Sequence, residues 1–151
     1  MSSTYEGDII RPLGLVTLYS GYAELEIDAL LRSLSRVEDV GEKAINWLIG
    51  QKVSKARSII HRLNADSLNE IVMKLDEATV LFDRRNALVH GAIFCSTETV
   101  ISRVTGREQQ VTPEALTSLA RDIFAVKEHI SANRQRVLEP ILIAREQDKR
   151  S

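Results

Sequence analysis

The chain has 151 residues, of which 44% are apolar, and this is enough for one domain with its own core. Its 20 basic and 21 acidic residues leave a formal net charge of −1, which excludes a globally basic nucleic-acid-binding protein. The single cysteine, Cys95, excludes an internal disulfide and a cysteine-based zinc site, and it fits a reducing compartment. We expect no signal peptide and no membrane partner, and therefore a cytoplasmic protein.

The predicted first helix covers about residues 13 to 35, because apolar residues recur there at steps of three and four. Residues 1–12 precede it as an N-terminal arm. The residues expected on its buried face are Leu15, Leu18, Tyr22, Leu25 and Ala29, widened by Ile27, Leu30, Leu31 and Leu34. A second stripe predicts another helix over residues 45 to 63, with Gly50 as a candidate break.

The third helix is predicted to begin near Ser67, where a serine followed three residues later by a glutamate is typical of a helix N-terminus. Its apolar stripe consists of Leu68, Ile71, Leu75, Ala78 and Phe82. Continued at the same steps, the stripe meets Arg85 and Asn86, so we expect polar side chains on the face that points into the protein. This interruption is the first indication of a functional site.

The last third of the chain is predicted to form a β-hairpin and then a long helix. Alternating apolar residues around Gly106 predict a short β-hairpin at about residues 92–111. Thr112 and Pro113 then form a typical helix start, and a long final helix follows until Pro140 kinks or stops it. The sequence therefore predicts an all-α bundle of four main helices with a hairpin insert, a single domain over residues 13–139, and a helical extension or tail over residues 140–151.

The end of the third helix carries a concentrated set of reactive side chains, in the segment from Asp83 to Gly91. Asn86 and His90 are four residues apart and share a helix face, while Arg85 and His90 can border one cleft. A guanidinium suits a phosphate, and an imidazole can give or take a proton near neutral pH. These groups suffice for phosphodiester cleavage by a neighbouring 2′-hydroxyl, with neither a metal nor a cofactor.

The run Arg85-Asn86-Ala87-Leu88-Val89-His90 resembles the motif of the HEPN superfamily, whose ribonucleases have an arginine, four to six further residues and a histidine, often with asparagine directly after the arginine. The predicted helical bundle also resembles that family. An asparagine at this position makes the match far rarer by chance than the bare spacing of arginine and histidine.

The resemblance implies a homodimer in which two copies of this helix form one composite active site. It implies a toxin or a defence or stress-response protein that cuts RNA without metal and leaves a 2′,3′-cyclic phosphate. Arg85 would hold the phosphate, His90 would transfer protons and Asn86 would orient the groups. Arg84 fits the allowed spacing as well, so the choice of arginine stays open.

Further RNA contacts are predicted in the second helix, because residues 43–62 contain five basic residues and no acidic one. Lys52, Lys55 and Arg57 are the candidates, together with Arg84 beside the motif. An ordinary solvated face that balances the acidic first helix explains the same charges equally well.

Two non-enzymatic functions compete with the ribonuclease. In the first, the chain is a non-catalytic HEPN-like module that dimerises or binds a nucleotide or a protein, and Arg85 and His90 either bind the nucleotide or only close the interface. In the second, it is an antitoxin or adaptor whose acidic first helix neutralises a basic partner. A ribonuclease toxin would in turn imply a cognate antitoxin or regulatory partner protein.

Overall fold

The computed structural model describes residues 3–90, 99–101 and 108–151. It contains the helices α1 (Ser3–Leu34), α2 (Ile49–Leu63), α3 (Asn69–His90), α4 (Pro113–Asn133) and α5 (Glu139–Arg150). Short 3₁₀ turns at Glu42–Asn46 and Asp66–Leu68 precede α2 and α3. The described chain is thus predominantly helical, and the predicted all-α class is confirmed.

Two short strands lie within the range predicted as a hairpin. Strand β1 (Thr99–Ile101) pairs antiparallel with β2 (Glu108–Gln110), and Val100 lies opposite Gln109. Residues 91–98, which include Gly91 and Cys95, and the connection over residues 102–107 are outside the described residues. The hairpin as a whole therefore stays a prediction.

The described chain divides into two compact units, each formed by two separate stretches. The first unit consists of residues 1–23 and 80–125, and the second of residues 24–79 and 126–151. The buried apolar side chains of the first unit include Val16, Ala23, Phe82, Leu88, Val111, Leu116, Leu119, Ala120 and Ile123. Those of the second unit include Ile27, Leu30, Leu34, Ile59, Ile60, Leu68, Ile71, Leu75, Ile130 and Leu142. The prediction of a single domain stays a prediction.

Helix α1 differs from the prediction in its start and in its buried face. It begins at Ser3, ten residues earlier than expected, and it continues through Pro12. In the first unit its buried side chains include Pro12, Val16, Ser20 and Ala23, whereas Leu18 and Tyr22 are exposed. Residues 12–23 carry no charge, so this part of the helix has apolar residues on most of its circumference. Periodicity could not select the correct face for that reason.

Hydrogen bonds between side chains and the backbone mark the starts of α2 and α4. The second predicted helix is in two pieces, separated at Trp47 and Leu48 rather than at Gly50, and the side-chain oxygen of Gln51 accepts the N–H of Leu48 at 2.9 Å. As predicted, the Thr112 hydroxyl caps α4 by accepting the N–H of Ala115 at 3.0 Å.

Pro140 does not stop the last helix. A π-helical turn over Arg134–Leu138 precedes it, where the N–H of Glu139 donates to the carbonyl of Arg134, and α5 then continues to Arg150. Because proline lacks an N–H and its ring crowds the carbonyl four residues back, a wider turn allows the helical path to continue.

Candidate active site

The predicted catalytic residues lie on the last turns of α3, in the first unit. Arg84 and Arg85 are half-buried, whereas Asn86 and His90 are exposed. The apolar stripe predicted for this helix is buried from Leu68 to Phe82, as expected. Beyond Phe82 the helix buries Leu88 instead of continuing along the side of Asn86. The expectation that the polar residues face the interior is therefore wrong for Asn86, which lies at the surface.

The guanidinium of Arg85 is held in place by two neighbours on its own helix. Its Nε and one Nη donate to the Oδ1 of Asn86 at 3.1 and 2.8 Å. Its central carbon lies 4.9 Å from the ring centroid of Phe82, one turn earlier, and Phe82 is itself only 3% exposed. A cation on an aromatic face is attracted by the ring, and the side chain thereby loses part of its rotational freedom. Arg85 is thus positioned before any ligand arrives.

Asn86 and His90 extend this arrangement along the helix. They are four residues apart, so they lie on adjacent turns of the same exposed face of α3. The site consequently presents an oriented cation, an amide and a solvent-accessible imidazole in sequence. Such a set can bind an anionic oxygen and exchange a proton with a nearby hydroxyl.

Phe82 is the residue that the sequence analysis missed. We assigned it to the core stripe, which is correct, but the same ring also supports the guanidinium. The signal was available, because Phe82 and Arg85 are three residues apart on a helix and side chains at that spacing are neighbours.

An aromatic cluster lies in the same unit. The rings of Tyr19 and Phe124 are 5.0 Å apart, and Tyr22 lies 6.4 Å from Tyr19. Tyr22 and Phe124 are both partly exposed. Tyr19 and Tyr22 are neighbours on α1, whereas Phe124 lies on α4 about a hundred residues away, so no local pattern could have added it to the group.

Three of the four basic residues predicted to contact RNA, Lys52, Lys55 and Arg57, belong to the second unit, and each of these three contacts a carboxylate. Lys52 is buried, and its Nζ lies 2.7 Å from Asp28. Lys55 lies 3.3 Å from Glu38, and Arg57 lies 3.2 Å from Asp76. Their role in RNA binding stays a prediction, and these pairs favour the alternative of a helix face that balances acidic residues.

Three further findings complete the description. Within the described ranges, no group of three or more histidine, cysteine, aspartate or glutamate side chains is arranged to hold a metal ion. Among the described helices, none has the length and hydrophobicity needed to cross a membrane. Comparisons with family models, with curated proteins and with solved structures gave no match.

Proposed function

We propose that the chain is a metal-independent endoribonuclease of the HEPN type. Arg85 holds the scissile phosphate, His90 transfers protons, Asn86 orients Arg85, and two copies of the chain form one composite site. The observation that carries this proposal is the guanidinium of Arg85, which contacts with Asn86 and Phe82 hold in place, on the same helix end as an exposed histidine.

The proposed reaction needs no group beyond these residues. An imidazole removes the proton of a 2′-hydroxyl, whose oxygen attacks the adjacent phosphorus while the bond to the 5′-oxygen breaks. A second imidazole, from the other copy, donates the proton that the leaving 5′-oxygen requires. The products are a 2′,3′-cyclic phosphate and a 5′-hydroxyl. The guanidinium stabilises the charge that develops on the phosphate oxygens.

The first experiment incubates wild-type protein and His90→Ala with mixed single-stranded RNA in EDTA and identifies the fragment ends. We expect the wild type to produce cyclic phosphate ends, and His90→Ala to lose at least about 100-fold in rate. His129→Ala is the matched control, because His129 is also exposed on a helix. Cleavage by His90→Ala at the wild-type rate would refute the mechanism.

A second pair of variants decides which arginine acts. Arg85→Lys retains the charge but loses the planar fork of donors, so we expect a loss of about 100-fold or more. Arg84→Lys should cleave at nearly the wild-type rate. The opposite result would assign the phosphate to Arg84 and to the five-residue spacing.

An interaction module is the second candidate, and one observation favours it. Ile10, Leu18 and Tyr22 of α1 are large apolar side chains with 69%, 47% and 45% of their surface exposed, in a region that is uncharged from residue 12 to residue 23. Such a surface fits a second copy or a regulatory partner protein. Absence of RNA cleavage by the wild type would make this function the leading one.

An antitoxin or adaptor with an acidic first helix has less support. Glu26 and Asp28 are two of the acidic residues on α1, and they contact Arg134 at 2.6 Å and Lys52 at 2.7 Å within the same unit. Because these carboxylates already have cationic partners, they are not available to neutralise a basic protein.

A further inference from the structure

The second unit contains a cleft of about 640 Å³ to which the proposed ribonuclease assigns no role. It is bordered by the second half of α2, the turn that follows, and the start of α3. This volume is within the range of about 300–1,000 Å³ that is usual for small-molecule sites. The side chains that matter for its chemistry are Arg57, His61, Arg62, Ser54, Ser58 and Asn69.

Most of the residues that α2 contributes to the cleft carry hydrogen-bond donors. At 100° per residue, Ser54, Arg57, Ser58, His61 and Arg62 fall within about 140° of the helix circumference. Two guanidiniums stand at the edges of this arc, with two hydroxyls and an imidazole between them. Guanidiniums only donate hydrogen bonds, and hydroxyls and imidazoles can donate them as well as accept them. The surface therefore suits an anionic group that is rich in oxygen atoms.

Both guanidiniums keep donors for a ligand. Arg57 contacts Asp76 through Nη1 at 3.2 Å, and Arg62 contacts Glu38 and Ser58 through Nη2 at 2.8 and 3.1 Å. Each guanidinium has five N–H groups, so these contacts occupy only part of its capacity. The two arginine side chains are 50% and 55% exposed, and ion pairs at such exposure are weak enough for a ligand to replace.

The remaining lining residues indicate that the ligand has an organic part beside its anionic group. Ile60, Ala65 and Val72 supply apolar surface next to the donors, and the one acidic side chain among the described lining residues is Asp66. A bare phosphate would not use the apolar surface, and an apolar molecule would leave the donors unsatisfied. We infer that the cleft binds a small phosphate monoester, of the class of the nucleoside monophosphates, with its phosphate between Arg57 and Arg62.

The test is a calorimetric titration of the full chain with AMP, inorganic phosphate, adenosine and a short single-stranded RNA. We expect AMP to bind with a Kd of about 1 mM or below, inorganic phosphate to bind more weakly, and adenosine to show no saturable binding. Heteronuclear NMR on the same samples should show the largest shifts at His61 and Asn69.

The variants Arg57→Gln and Arg62→Gln should each weaken AMP binding about tenfold, since each removes a charged donor. Arg145→Gln is the matched control, because Arg145 is an exposed arginine on α5 in the same unit. Circular dichroism and thermal melting establish that all three variants are folded.

Several results would overturn the inference. AMP without saturable binding, or AMP bound equally by wild type and both cleft variants, would refute the site. Equal affinity for AMP and adenosine would show that the cleft does not recognise phosphate. Equal affinity for AMP and inorganic phosphate would show that the cleft does not recognise the organic part of the ligand. Tighter binding of the RNA, weakened by both variants, would replace the small ligand with an RNA path. The outcomes with AMP, inorganic phosphate and adenosine do not depend on whether His90 cleaves RNA.

Discussion

A buried lysine shows how far a residue's surroundings can alter its role. Lys52 is on a stripe that the sequence presents as basic, yet the residue is only 7% exposed and its ammonium lies 2.7 Å from Asp28. A charge removed from water is costly unless a partner compensates it. Asp28 supplies that compensation, so we assign this pair to the stability of the second unit.

Removing the partner should therefore destabilise the protein. Asp28→Asn leaves the ammonium of Lys52 buried without a countercharge, and we expect the free energy of unfolding to fall by about 2–3 kcal/mol. Urea denaturation followed by circular dichroism measures this change. The double variant Asp28→Leu with Lys52→Met, which replaces both charges with apolar groups, should recover most of the loss. A fall of less than about 0.5 kcal/mol in Asp28→Asn would show that the pair of Lys52 and Asp28 contributes no more to stability than an exposed ion pair.

The motif residues could be proposed from the sequence, whereas their exposure to solvent could not. Arg85, Asn86 and His90 could be selected because their chemistry and spacing are local properties of one helix. Whether Asn86 faces solvent depends on what packs against α3, and that information is spread over residues far apart in the chain. The same limit explains why Leu18 and Tyr22 were expected in the core but are exposed.

Among the elements, an ionic cluster joins the C-terminal end of α1 and the residue Arg36 that follows it to α5. Arg36 lies 2.6 Å from Glu139 and 2.7 Å from Glu146, and the Ser33 hydroxyl donates to Glu139. The hydrogen bond from Ser33, followed by that from Arg36, lowers the pKa of Glu139. The hydrogen bond from Arg36 lowers the pKa of Glu146 as well.

Because of these lowered pKa values, the stability of the second unit should depend on pH in the acidic range. A carboxyl whose pKa is lower in the folded chain stabilises the fold fully above its ordinary pKa of 4.5, and this contribution is lost as pH falls through the folded value. We therefore expect the free energy of unfolding to be nearly constant from pH 7 to about pH 5 and to decline below it. Urea denaturation at a series of pH values tests this.

Glu139→Gln supplies the comparison for that series. Glutamine does not titrate, so the variant should be less stable at pH 7 and should lose less stability than the wild type between pH 5 and pH 3. Glu70→Gln, at an exposed position on α3, should follow the wild-type curve. If the free energies of unfolding of Glu139→Gln and wild type fell in parallel with pH, protonation of Glu139 would not be a cause of the loss of stability in acid.

Helices were predictable where one face is clearly polar, and their ends were predictable where capping residues are present. Thr112 and Pro113 marked the start of α4 correctly. The start of α1 was predicted too late, because the apolar stripe on which the prediction rested begins only at Leu15, whereas the helix begins at Ser3 and continues through Pro12. The π-helical turn before Pro140 depends on how the chain accommodates that ring, and periodicity does not encode it.

For the whole molecule, the division into two units separates the two candidate sites. The motif of α3 and the exposed apolar residues of α1 belong to the first unit, and the cleft beside α2 belongs to the second. Each site can therefore be inactivated by substitutions that leave the residues of the other unchanged.

The proposed composite site requires two copies of the chain, and the exposed apolar residues of the first unit are the surface best suited to join them. With a chain mass of 16.9 kDa, we expect the wild type to sediment as a species of about 34 kDa, twice that mass. Leu18→Glu places a charge on the uncharged surface of α1, so it should produce a monomer and abolish RNA cleavage. Its thermal stability as a monomer should change little, because Leu18 is 47% exposed.

Met73→Glu is the matched control for this substitution, because Met73 is an equally apolar, 66% exposed residue that belongs to the second unit. It should remain dimeric and active, which would locate the interface in the first unit rather than at any exposed apolar residue. Because the mechanism needs a second imidazole from the other copy, activity and dimer should be lost together as the wild type is diluted. A wild type that is monomeric at every concentration and still cleaves RNA would show that a single Arg85–His90 pair is sufficient.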